Sequence, residues 1–246
     1  MKTRRNAVAN RQGRVLVLLL VVLTLAVLIA ARPWRLLPPQ WSPWAPLSVA
    51  HPMTPVTRWK LTRLKSAPAA RCQAVLAAVP AAELDYLPLE DYTPVAECPL
   101  TNVVRLRGSS VTFNTPFTAR CPLVVAWLMY ERHALQPLAQ RRFGQPIRMV
   151  EHFGSFSCRN IYHRTDARRS EHATASALDV AAFRLADGRR ITVLEGWDGH
   201  QRDAARFLRE AHQRACGYFG TVLGPDYNAP HADHFHFGTR GLRFCR

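Results

Sequence analysis

The chain has 246 residues, 48% hydrophobic and 20% charged, a globular balance that excludes wholesale disorder. Lys and Arg total 33 against 17 Asp and Glu, a formal charge of +16, and only three of those bases are Lys. Such an excess suits an anionic partner, but the sequence carries no nucleic-acid-binding motif, so nucleic acid is set aside as a partner.

In chain order, residues 1–35 hold seven basic residues and no acidic one. Within them Val15 to Ala31 is a run of seventeen residues without a charge, at the short end of what spans a bilayer and longer than a secretory signal core. Five basic residues precede the run, so the positive-inside rule puts the N-terminus in the cytoplasm and the rest outside. Trp34, Trp41 and Trp44 follow, where interfacial aromatics sit. The expected organisation is a basic tail at 1–14, one transmembrane helix at 15–31, a Pro/Trp-rich spacer at 32–57 and a domain at 58–246.

Inside the domain, Cys72, Leu76 and Val79 predict a helix over 69–79. Leu100 to Phe113 reads as extended chain, and Cys121 to Phe143 as a long helix with a break at Pro137. Ile147 to Phe153 predicts a strand, and Ala177–Phe183 with Arg190–Leu194 a hairpin across Ala186-Asp187-Gly188. Arg202 to Phe219 predicts an amphipathic helix, with His212 on its polar face, and Asp233 to Phe237 a short strand. Trp127 and Tyr130 are expected in the core. The fold class is α+β, an antiparallel sheet with flanking helices.

All six Cys lie after residue 71, without a CxxC pair, which predicts disulfides in an oxidising compartment rather than a thiolate zinc site. Six cysteines allow fifteen pairings, and the spacing does not choose among them.

Eight of the ten His fall between residues 152 and 236. One cluster is Ser170-Glu171-His172-Ala173-Thr174-Ala175-Ser176-Ala177-Leu178-Asp179, and a second is His231-Ala232-Asp233-His234-Phe235-His236. Residues two apart on a strand share a face, so His234 and His236 are expected to project together. His172 and Asp179 would approach them from a neighbouring strand. Two imidazoles and one carboxylate with an open position make a catalytic zinc shell, in which water becomes a nucleophile near neutral pH.

The first cluster resembles the S-x-H-x-x-G-x-A-x-D motif of the vancomycin-resistance type of D-Ala-D-Ala carboxypeptidases, members of the LAS group of zinc peptidases. That resemblance implies zinc held by His172, Asp179 and His236. Gly154-Ser155-Phe156-Ser157-Cys158-Arg159 is similar to the group's G-Y-R-S segment, which implies a substrate and transition-state role for Arg159. Asp233 stands where those peptidases often have the Glu base, and His234 is the rival base of the HxH branch; both remain candidates. Ala175 stands where the peptidases usually have Gly. From about Arg58 the chain also resembles bacterial proteins with an extensin-like C-terminal domain, through Arg71-Cys72, Ala119-Arg120-Cys121-Pro122, Gly224-Pro225-Asp226-Tyr227-Asn228-Ala229 and the terminal Cys245-Arg246. The implied protein is a single-pass inner-membrane one with a periplasmic, LAS-like domain that hydrolyses peptide or amide bonds of peptidoglycan. The alternative is a non-catalytic, metal-containing module that binds the wall or serves the envelope structurally.

Overall fold

The computed structural model describes residues 2–241 and 243–246, with backbone alone for residues 2–12, 29, 33 and 34. Helix α1 (Lys2–Ala31) is followed, after the proline-rich segment, by α2 (Pro55–Leu64) and α3 (Ala69–Ala77). Thr54 caps α2 through its hydroxyl, which accepts from the Thr57 amide, and Pro55 opens the helix where a missing N–H costs nothing. Next come β1 (Asp85–Pro88), β2 (Val103–Gly108), β3 (Thr112–Arg120), α4 (Cys121–Tyr130), α5 (Gln136–Phe143) and β4 (Ile147–Gly154). The chain continues through β5 (Ala177–Leu185), β6 (Arg190–Thr192), α6 (Val193–Gly196), α7 (Arg202–Ala215), β7 (Thr221–Leu223), β8 (Phe235–Gly238) and β9 (Phe244–Cys245).

Among the described residues, no helix is long and apolar enough to cross a membrane. This corrects the transmembrane helix expected at 15–31 and, with it, the single-pass inner-membrane placement. The physical reason is length: seventeen residues rise about 25 Å, short of a hydrocarbon core of about 30 Å, and Arg14 and Arg32 bracket the run. The side chains of Lys2, Arg4, Arg5, Arg11 and Trp34, on which the topology argument leaned, lie outside the described residues.

The nine strands form one sheet in the order β1-β2-β3-β4-β5-β8-β7-β9, with β6 beside β5. Most pairings are antiparallel, as the pattern predicted, but β3 runs parallel to β4 and β7 parallel to β9. The first exception follows from the long helical segment between β3 and β4, because parallel neighbours need such a crossover. That segment does not break at Pro137. It widens instead into a π-helical turn over Glu131–Leu135, which contains His133, the residue whose carbonyl a regular helix would bring against the proline ring.

One hydrophobic core joins the helices to a single face of the sheet, with Trp127, Tyr130, Phe183, Phe207, Phe235 and Phe237 almost wholly buried in it. Helix α7 contributes Phe207, Leu208 and Ala211 from one side and ends at Ala215, earlier than its pattern suggested, while Phe219 beyond it still packs inside. His212 is not on a polar face; its ring packs against Trp197 and Phe235. The proline-rich segment is tied to the domain: Val49 lies in the core, and its carbonyl accepts from His133 Nε2 at 2.8 Å. All six cysteines are paired, as Cys72–Cys121, Cys98–Cys158 and Cys216–Cys245. The last pins the C-terminal strand to the end of α7.

Candidate metal centre

Asp179 on β5 and His236 on β8 are Cα partners across the ladder. Their chain neighbours Leu178, Val180, Phe235 and Phe237 enter the core, so the alternation of a strand turns both polar side chains onto the face free of helices. His172 arrives from the loop before β5, in a tight helical turn over Glu171–Thr174 whose cap, the Ser170 hydroxyl, accepts from the His172 amide at 3.3 Å. The turn closes at Ala175, which adopts the left-handed conformation at φ 49° while its methyl packs with Leu100 and Val103.

The three side chains converge. His172 Nε2 lies 3.1 Å from Asp179 Oδ2 and 3.2 Å from His236 Nδ1, and His236 Nδ1 lies 2.9 Å from Asp179 Oδ1. The two imidazoles meet different oxygens of Asp179, and one ligand atom from each residue lies within 4.8 Å of the others. Tetrahedral bonds of about 2.0–2.2 Å require about 3.3–3.6 Å, so a modest rearrangement would let the three hold an ion. The other nitrogen of each imidazole faces an oxygen. His172 Nδ1 is 3.1 Å from the Ser155 carbonyl and therefore donates to it, which turns the Nε2 lone pair toward the centre. His236 Nε2 stands 3.5 Å from Glu171 Oε2. Oxygen acceptors behind the coordinating rings are the usual support of a metal-binding histidine.

Three acceptor atoms aimed at one point repel unless a proton or a cation lies between them. Without a cation, His236 takes that proton: burial opposes its charge, but hydrogen bonds to Asp179 and Glu171 prevail and push its pKa up to about 9. Burial likewise works against ionised Asp179, yet His172 and His236 hold its carboxyl well below the usual range. Glu171 is also shifted down, against burial, by His236 and by the Arg240 amide.

His234 precedes β8 rather than lying on it, but its Nε2 still comes within 3.6 Å of Asp179 Oδ1. Asp233 does not reach the centre. Its Oδ1 accepts from His234 Nδ1 at 2.8 Å, which leaves His234 Nε2 as the free basic nitrogen on the cluster side. His231 stands behind, hydrogen-bonded through Nδ1 to Asn228 Oδ1 at 2.6 Å. Burial and then the neighbouring His234 and His236 push its pKa down to about 4, so it stays neutral near pH 7.

The cluster opens into a cavity of about 740 Å³, which Arg159, Arg168 and Arg240 also line. The structure thus brings His172, Asp179, His236, His234 and Arg159 to one cavity and leaves Asp233 one residue back. Sequence reasoning missed the contact of Glu171 with His236, although its place beside His172 was a usable signal. The Ser155 carbonyl had none, since every residue carries a carbonyl. The His231–Asn228 pair was signalled only by the turn-forming residues around it.

Residues 70–246 match the family model described as extensin-like protein C-terminus. No curated protein and no solved structure matches the chain.

Proposed function

The chain belongs to the extensin-like C-terminal family, and from that premise we propose that it is a zinc-dependent hydrolase of peptide or amide bonds in peptidoglycan. One observation carries the reading: His172, Asp179 and His236 each place a ligand atom within 4.8 Å of the other two at the floor of an open cavity. A set of two imidazoles and one carboxylate leaves a zinc ion one position for water or substrate. Zinc, when bound, supplies Lewis acidity and a water acidified to near neutrality.

The chain's own residues do the rest. His172, Asp179 and His236 hold the ion, while the Ser155 carbonyl and Glu171 fix the two rings. His234 is the better candidate for the base, because its Nε2 faces the cluster while Asp233 is spent on orienting the ring and stabilising the imidazolium it becomes. His234 can return that proton to the leaving amine. Arg159 has no acidic partner among the described residues and lines the same cavity, where its guanidinium can hold a substrate carboxylate or developing negative charge. The motif likeness to LAS peptidases supports a wall peptide as substrate, and three disulfides suit the oxidising compartment in which such a substrate lies.

The test is incubation of the purified protein with sacculi and with soluble muropeptides, followed by mass spectrometry of the products. Cleavage should stop with a chelator and return with added zinc. Zinc-loaded protein that leaves both substrates intact would overturn the proposal.

A further inference from the structure

We infer that the outer face of strands β1 to β4 is a binding groove for an extended peptide bearing carboxylates, leading into the cluster; the identity of the reacting end rests on the hydrolase reading, the groove does not. Two hollows of about 720 and 330 Å³ share Tyr92, Arg105, Pro116 and Thr118 and so form one trough. Leu106 and Phe117 enter the core, so their strand neighbours Arg105, Pro116 and Thr118 face away from the helices, on the same side as Asp179 and His236. The trough meets the cluster at Phe153, which is 63% exposed and whose ring centre lies 5.7 Å from that of His234.

Three features fix the occupant. The first is charge. Arg105 and Arg107 line the trough against one acid, Glu90, and while Arg107 pairs with Asp85, the exposed Arg105 guanidinium has no partner among the described residues. The second is unmet hydrogen bonding. Ser155, in the wall of the hollow nearest the cluster, has its Oγ buried without a partner. Buried polar atoms are rarely left so, and a rotation of the Ser155 side chain would present its hydroxyl to an occupant of the hollow. The third is apolar surface, since Leu87, Tyr92 and Phe153 are all exposed along the trough. A peptide with carboxylates and small apolar side chains answers all three. An uncharged glycan, rich in hydroxyls, would leave Arg105 unmatched.

Binding is read without turnover, by fluorescence anisotropy of a labelled wall stem tetrapeptide against chelator-treated full-length protein. R105A, which breaks no side-chain hydrogen bond or ion pair and should melt like the wild type, is expected to weaken binding about tenfold or more. F153A should weaken it severalfold. The tetrapeptide with its carboxylates amidated should bind the wild type as weakly as the native peptide binds R105A. Variants within twofold of the wild type, or equal competition by a neutral N-acetylglucosamine oligomer, would overturn the inference. The two proposals fail separately: Arg105-dependent binding without hydrolysis sinks the hydrolase, whereas hydrolysis indifferent to Arg105 and Phe153 sinks the groove.

Discussion

Glu171 occupies the space that a side chain at Gly238 would need. A Cβ at Gly238 would come within 2.6 Å of Glu171 Oε1 and Cδ. The same carboxylate accepts from the Arg240 amide at 2.6 Å and approaches His236 Nε2 at 3.5 Å. The absent side chain on β8 is therefore what lets a buried acid stand behind the histidine two residues earlier on that strand.

Replacing Gly238 with Ala should push Glu171 off His236. Overpacking of this kind costs about 1–3 kcal/mol. Loss of the support behind a coordinating imidazole costs about 10–100-fold in metal affinity. Zinc titration by calorimetry checks the second figure, and a thermal melt of metal-free protein checks the first.

Asp179→Asn keeps the volume of the side chain and removes the charge between the two imidazoles. Zinc at a hundred times its Kd should stabilise the wild type by about 2.7 kcal/mol. The variant should show little or no zinc-dependent shift in Tm under the same conditions.

His152 gives a pH prediction. Its ring is buried beside Phe113 and Phe117, with Nε2 bonded to the Thr115 carbonyl at 2.9 Å, and burial lowers its pKa. A histidine lowered on folding stabilises the protein fully above its unfolded pKa of about 6.5, and that stability is lost as pH falls through the lower folded value. His152→Gln keeps a donor for Thr115 but does not titrate. Chemical denaturation should show the wild type ahead at pH 8, with the gap narrowing below about pH 6.5.

Ala175 closes the His172 turn in a conformation that costs an L-residue about 1–2 kcal/mol. Glycine there would relieve the strain but lose a buried methyl worth about 0.8 kcal/mol and add about 0.5–1 kcal/mol of backbone entropy. These terms nearly cancel, so Ala175→Gly should lie within about 1 kcal/mol of the wild type and retain metal. Ala175→Val, branched at Cβ, should be clearly destabilised by the same denaturation assay.

Periodicity located the helices at 69–79 and 202–219 and the strands at 147–153 and 177–183, because each buries one face and its apolar spacing records that. It could not show the parallel pairings, since a strand buries the same residues whichever way its neighbour runs. It missed the π-helical turn for a related reason: a widened turn leaves the apolar pattern nearly intact. The uncharged run at 15–31 showed the opposite weakness, for hydropathy alone does not set the length a span needs. In the candidate centre, the grouping of His172, Asp179 and His236 was suggested by the motif likeness, since each spacing taken alone is common. The sequence left Asp233 and His234 as rival bases, because spacing does not reveal which side chain turns back on its neighbour.

The ladder between β5 and β8 has a consequence for how the centre comes into being. Asp179 and His236 are 57 residues apart in the chain and meet only when their two strands pair in one alignment. A slip of a single residue would turn His236 into the core and bring Phe237 out in its place. A cation held between them would therefore be indifferent to collapsed chains and to shifted pairings alike. It would select among the protein's own folding products, proofreading the strand alignment on which its site depends.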